Sequence, residues 1–289
     1  MTKEEKLSIQ NLSTSLIDAY PNHPFKIVDD EEMIELSESI ADSGLLLPVL
    51  VRAKEDGRYE MISGHRRLRA SELAGKSTIK AVVCDYDDDM AAIVMVESNI
   101  HQRENILPSE KAFAYKMLYD AMKHQGKRTD LTSVPLGQKF AREELAEKIG
   151  ESQTQIQRYI SLTKLVPELL EYMDEGKIAL RPGVELSYLD EDCQRDIVDF
   201  IDVNESFPSH AQAIRMRRLF ENCKLDTQSI NKILSEKKPN QRDKLIFRGD
   251  KVRSLIPKSV PIEKTEEYVC KALEHYAKYL QKQRNRGAR

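Results

Sequence analysis

At 289 residues the chain is long enough for two or three domains, and its net charge of −3 excludes nucleic-acid binding by bulk charge, so basic contacts must come from local faces. Charged residues make up 32% and aromatic ones 6%, with no Trp, a balance that favours a mostly helical soluble protein. Cys84, Cys193, Cys223 and Cys270 show neither zinc-ligand nor disulfide-framework spacing, and no run approaches the ~20 apolar residues of a membrane span, so reduced thiols and a cytoplasmic setting are expected.

Up to about residue 104 strands and helices alternate. "LSIQNL" reads as a strand. "DDEEMIELSESIADSG" reads as a helix with Asp29 and Glu32 spaced as a capping box, Met33, Leu36 and Ile40 on one face, and Gly44 as its stop. "PVLVRAKEDGRYEMIS" holds two apolar runs joined at Asp56 and Gly57, the pattern of a hairpin. A helix over about 66–74 that buries Leu68 and Leu73, a strand at "IKAVVC" and a helix from Asp88 complete an α+β unit.

From Pro108 to about Lys237 nearly every segment has helical periodicity, with turns expected at Gly126, Gly137, Gly150, Gly176 and the "RPG" of residues 181–183. The polar "SEKKPNQRDK" marks a boundary. Beyond it come a short predicted strand in "KLIFRGDKVRSLIP" and an amphipathic terminal helix with Val269, Leu273, Tyr276 and Leu280 at helical spacing. A unit near fifty residues is small for a core of its own, so dimerisation is expected. Its end is basic, with Lys278, Lys282, Arg284, Arg286 and Arg289, either a solubilising tail or a nonspecific phosphate contact. The expected domains are 1–106, 107–236 with a helix-turn-helix at about 141–164, and 237–289.

Two stretches carry candidate chemistry in the first unit. In "MISGHRRLRASELAG" a strand gives way to a helix at Ser63 and Gly64. The free N–H groups and dipole of a helix N-terminus suit an anion there, and Gly64 lets a phosphate approach the backbone. Arg66, Arg67 and Arg69 add charge-assisted donors, and His65 is either a phosphate donor or a capping residue; an ordinary arginine-rich surface is the alternative. In "VESNIHQRENILPSEKAFAY", Glu97, Asn99, Gln102, Arg103 and Glu104 lead to a turn before Pro108. Glu97 and Asn99 are candidate Mg2+ ligands, with local capping and pairing as the alternative.

"FAREELAEKIGESQTQIQRYISLTKL" reads as a helix-turn-helix: Leu145, Ala146 and Ile149 inward, Gly150 at the turn, Ser152 as cap, and Ile156 and Ile160 inward. Ser152, Gln153, Thr154, Gln155, Gln157 and Arg158 are then left for DNA, since glutamine pairs with adenine and arginine with guanine in the major groove; a plain helical pair in a bundle is the alternative. "KHQGKRTD" (123–130) and "RMRR" (215–218) are either phosphate contacts or solvated faces.

The pair of boxes in this order resembles ParB-type chromosome and plasmid partition proteins. "PNHPFK" (Pro21–Lys26) looks like their first nucleotide-contacting box, "SGHRRLRASELAG" like their arginine box, and "NIHQRENILPSEKAFAY" like their third box, over about residues 8 to 190. The resemblance implies an α+β nucleotide-binding domain, an all-α helix-turn-helix domain and a small C-terminal dimerisation unit. It also implies CTP with Mg2+ as cofactors, slow CTP hydrolysis, a DNA clamp on a centromere-like duplex site, a homodimer, and a partition ATPase as partner. Three departures bear on hydrolysis: His65 stands where the family commonly has Glu, Phe25 and Lys26 replace its Pro-Arg continuation, and Asn99 lies one residue further from Arg103. The rival readings are a ParB-fold transcriptional regulator without nucleotide switching and a small-molecule phosphoryl-transfer enzyme.

Overall fold

The computed structural model describes residues 9–103, 105–129, 145–236, 255–257, 260–261 and 264–287, in two units, Met1–Glu236 and Lys237–Arg289. In the first unit, strands β1 (Ile9–Ser13), β2 (Ile17–Asp18), β3 (Val49–Ala53), β4 (Tyr59–Ser63) and β5 (Thr78–Cys84) form one mixed sheet in the order β1-β5-β3-β4-β2. β3 lies parallel to β5 and antiparallel to β4, and the hairpin between β3 and β4 closes where Gly57 takes φ 79°. Alternation along β4 decides what each face covers: Met61 packs with Val49, Val51, Ile79 and Ala81, while Ile62 faces helix α3 (Asp88–Gln102).

Helix α1 (Glu31–Ser43) packs on α2 (His65–Leu73) through Met33, Ile40 and Ala70. The expected capping box is corrected by one residue. Asp30 caps α1 by accepting from Met33 N–H at 2.9 Å, because the helix starts at Glu31, and Asp29 is drawn instead to Arg69. Leu73 is exposed rather than buried; α2 turns Ala70 and Ser71 inward, with the Ser71 hydroxyl donating to Arg67 O at 2.7 Å.

Helix α4 (Pro108–Thr129) runs straight through Gly126, where a turn was expected; a lone helical glycine costs only about 1 kcal/mol. It belongs to two neighbourhoods at once. One apolar cluster joins Ile62, Met95 and Val96 to Tyr115 and Leu118 of α4, and on to Leu145 and Ile156. Those last two sit in α5 (helical residues 145–149) and α6 (Gln153–Leu162).

Helices α7 (Pro167–Asp174), α8 (Leu180–Leu186), α9 (Glu191–Asn204), α10 (His210–Glu221) and α11 (Thr227–Leu234) close around a second core that includes Leu169, Leu186, Ile197, Met216 and Ile230. The "RPG" turn is corrected too: Pro182 sits in the first turn of α8, where its missing N–H is no loss. A Cβ at Gly183 would stand 2.5 Å from Met173 Sδ, so any larger residue there would displace the Met173 side chain. Gly137 and most of the predicted 244–257 strand lie outside the described residues. In the second unit, α12 (Thr265–Gly287) presents Leu273, Tyr276 and Tyr279 at half exposure or more.

Candidate nucleotide cradle and nucleic-acid interface

β4 ends at Ser63, and the chain turns into α2 through Gly64, with φ 108° and ψ 24°. A Cβ on Gly64 would lie 2.8 Å from Val49 Cγ1 and 3.1 Å from Arg67 Nη2, so both conformation and space demand glycine. Glycine brings no capping side chain, which leaves the first N–H groups of α2 open to an anion.

The three arginines of α2 do different work. Arg66 reaches Glu32 at 3.3 Å and Asp30 at 3.4 Å, contacts long enough to yield to a stronger acceptor. Arg67 donates from Nη1 to the carbonyls of Leu47 (2.8 Å) and Pro48 (2.7 Å), bracing the loop before β3, and burial pushes its pKa down. Arg69 forks onto Asp29, Nε to Oδ1 at 3.1 Å and Nη2 to Oδ2 at 2.6 Å.

His65 is 7% exposed, and its ring packs against that of His23 with centroids 3.8 Å apart and planes tilted 40°. The Nε2 atoms of both rings are buried without a protein partner. Burial first, then the charge on His23 and on Arg103, lowers the His65 pKa to about 3; burial lowers that of His23 as well. Arg103 lies over the Phe25 ring at 5.1 Å, within 3.6 Å of Glu110 Oε1, and its Nη1 donates to Lys26 O at 3.4 Å. Burial, and in smaller part the Arg66 charge, lowers its pKa. The fold thus gathers Gly64, His65, Arg66 and Arg103 around the Pro21–Lys26 segment.

The carboxylate half of the expected site does not gather there. Glu97 pairs with Lys148 of α5 at 3.0 Å, and the Asn99 amide donates to Met95 O at 2.8 Å. Residues two apart on a helix point about 200° apart, so Glu97 and Asn99 leave α3 in different directions. Among the described residues no cluster of three or more His, Cys, Asp or Glu side chains is placed to hold a metal. The side chain of Gln102, and Glu104 altogether, lie outside the described residues.

Two residues that the sequence reading passed over tie the boxes together. His23 belongs to "PNHPFK", with Nδ1 against Phe25 O at 2.8 Å. Glu110, 3% exposed, accepts from Lys26 N–H at 2.7 Å and from Leu107 N–H at 3.0 Å. A Glu in the first turn after Pro108 is the half of a capping box that sequence can show.

At the other side of α4, Gly150 takes φ 75° and Ser152 caps α6, its hydroxyl accepting from Gln155 N–H at 3.2 Å. Ile156 and Leu162 are buried, Ile160 is half-buried, and Gln153 and Thr154 are exposed. Gln155, Gln157 and Arg158 are half-buried, with Arg158 Nη1 donating to Gln155 Oε1 at 3.4 Å. Glu151 turns inward to Lys111 and the Tyr115 hydroxyl, each at 3.0 Å, which removes the one acid from the approach to α6. The "RMRR" cations are largely spoken for. Arg215 forks onto Glu236, and Arg217 pairs with Glu185 and Glu221 while stacking on Tyr188 at 3.6 Å. Of "KHQGKRTD", His124 faces Asp89 at 3.2 Å, and the side chains from residue 125 on lie outside the described residues.

Family models for the ParB N-terminal domain and the ParB HTH domain match residues 1–100 and 136–206, together more than half of the chain. The chain belongs to the ParB family. It is 34% identical over 158 residues to the chromosome-partitioning protein Spo0J of Thermus thermophilus, covering 55% of this chain and 52% of that one. It is 33% identical over 163 residues to the stage 0 sporulation protein J of Bacillus subtilis, covering 56% and 51%. The chain therefore spans about half the length of these curated ParB relatives. Among solved structures it is similar to a C-terminally truncated Caulobacter crescentus ParB complexed to the centromeric parS site, with 19% identity, TM-score 0.41, and coverage of 78% of this chain and 98% of that one. The same protein complexed with CTP-gamma-S matches at 25% identity and TM-score 0.31, covering 63% and 93%. Of the departures from the ParB boxes, His65 lies against a second histidine ring, that of His23.

Proposed function

We infer that this ParB-family chain is a sequence-specific DNA-binding partition protein in which CTP regulates the hold on DNA. The observation that carries this reading is that Phe25 and Ile62, the latter leading into the Gly64 turn, share one core with Ile156 of the Ser152-capped helix, threaded by α4. The N–H groups of α2, Arg66 and Arg103 would hold the triphosphate, and the exposed start of α6 would read base edges in the major groove of a centromere-like duplex. Bound CTP supplies a polyanion whose charge these donors neutralise, while Gly64 gives it room beside the backbone. The protein donors expected for Mg2+ do not converge, so the reading leaves that ion to phosphate oxygens and water and derives no hydrolytic step from it.

A homodimer through the second unit, a partition ATPase as partner, and a cytoplasmic, nucleoid- or plasmid-associated location belong to the same proposal. Among the described residues no helix is long and apolar enough to cross a membrane. The engagement of Glu97 and Asn99 with other protein groups favours one second reading, a ParB-fold transcriptional regulator without nucleotide switching. Equilibrium binding of CTP, ATP and GTP, for the wild type and Arg66→Ala, tests the assignment. CTP-selective binding weakened about tenfold or more by Arg66→Ala supports it, and binding of none of the three leaves the regulator reading in place.

A further inference from the structure

The Pro21–Lys26 segment and the helix that follows the DNA-facing one meet at a single carboxylate. Asp174 closes α7. Its Oδ1 accepts from Ser109 N–H at 2.9 Å, and its Oδ2 accepts from the Ser109 hydroxyl at 2.6 Å and from Lys26 Nζ at 3.1 Å. The Asp174 side chain is 8% exposed and that of Lys26 is 55% exposed.

The two halves of this contact have different purposes. α4 opens at Pro108 without a capping Ser or Asp before it, so its first-turn N–H groups need acceptors from elsewhere. Asp174 takes that of Ser109, and Glu110 takes that of Leu107. Those bonds account for the carboxylate without Lys26. An ammonium that is half in water gains only about 0–1 kcal/mol from such a pair, so the ion pair matters little to the stability of the fold.

Its geometric consequence is larger. The Lys26 backbone is fixed on both sides, N–H to Glu110 and C=O from Arg103. One residue earlier, Phe25 is buried beneath the Arg103 guanidinium, and two before that, His23 packs against His65 at the mouth of the cradle. The segment therefore runs from the cradle at one end to α7 at the other. α7 begins five residues after α6 ends, which ties it to the DNA-facing helix. An open pocket of about 460 Å³ beside the contact, lined by Asn22, Lys26, Phe113 and Leu170 among others, leaves room for the Lys26 arm to move.

We propose that Asp174 is a positioning residue of the nucleotide site, setting the Pro21–Lys26 segment against the cradle through Lys26 according to where DNA holds α6 and α7. The proposal rests on the nucleotide reading above. Its test is a coupling ratio: the Kd for CTP of the full chain alone, divided by the Kd with a duplex selected for this protein. Asp174→Asn keeps an acceptor for Ser109 and removes the ion pair. Lys26→Gln removes the pair from the exposed side and leaves the α4 cap intact, so a folding defect in the first variant does not stop the test. Ser109→Ala loses a bond to the same carboxylate but keeps the Lys26 pair.

The expected result is a wild-type ratio of about 5 or more, falling below about 2 in Asp174→Asn and Lys26→Gln and retained in Ser109→Ala. A wild-type ratio preserved in either of the first two overturns the assignment. Equal loss in Ser109→Ala also overturns it, and makes Asp174 a helix cap alone. Wild-type chain that binds no CTP removes the nucleotide reading itself, whereas CTP binding with a wild-type ratio of one removes only the coupling.

Discussion

Helix α2 starts directly after a left-handed glycine, Gly64, and α6 starts three residues after one, Gly150, yet the side chains at the two starts are engaged very differently. Around α2, Arg67 and Arg69 are held by two carbonyls and a carboxylate and His65 is buried, whereas the carboxylate contacts of Arg66 are 3.3 and 3.4 Å long. At the start of α6, Gln153 and Thr154 stand in solvent, and the nearby acid, Glu151, is turned away. A preorganised cradle gains selectivity because its shape is fixed before the ligand arrives, whereas an open face takes its specificity from the surface it meets.

The sharpest way to break this contrast is Gly64→Ala. Positive φ and the 2.8 Å approach to Val49 Cγ1 should together cost about 3 kcal/mol of stability and at least a hundredfold in CTP affinity. Denaturant titration and nucleotide binding would show it, and near-wild-type values for both would mean that the turn is not a cradle. Next comes pH. The folded pKa of His65 lies below its unfolded value of 6.5, so the unfolded chain takes the proton first. Stability contributed by the neutral ring is complete above about pH 6.5 and is lost as pH falls toward about 3. Urea unfolding from pH 7 to 4 should therefore show a decline that flattens in His65→Phe, and parallel curves would contradict the buried neutral pair.

On the α6 side, Gln153→Ala is expected to cost about 1–3 kcal/mol of discrimination between selected and scrambled duplexes while the salt slope stays unchanged. A loss that is uniform across sequences would make Gln153 a phosphate contact. The smallest effects belong to cations already paired in the protein. Arg215→Ala should change stability by less than about 1 kcal/mol and leave the salt dependence of DNA binding as it was, and a slope reduced by about one would show that Arg215 leaves Glu236 for a phosphate.

Local signals made much of this legible. The hairpin followed from alternation around Asp56 and Gly57, the start of α2 from Gly64, and the cap of α6 from Ser152, because each depends on residues within a turn of one another. Pairings across the fold left no such mark. Nothing near Asp174 in the sequence announces Lys26, 148 residues away, and nothing around Arg67 announces the carbonyls of Leu47 and Pro48. The different partners of Glu97 and Asn99 on α3, Lys148 for one and the Met95 carbonyl for the other, are likewise hidden by residue type alone.

The most direct measurement is a titration of CTP into the full wild-type chain with and without a duplex selected for it, with ATP as the control. CTP-selective binding that tightens several-fold when the duplex is present is expected, because the cradle and α6 both pack on α4. Equal CTP affinity in both conditions, or no preference over ATP, would contradict it.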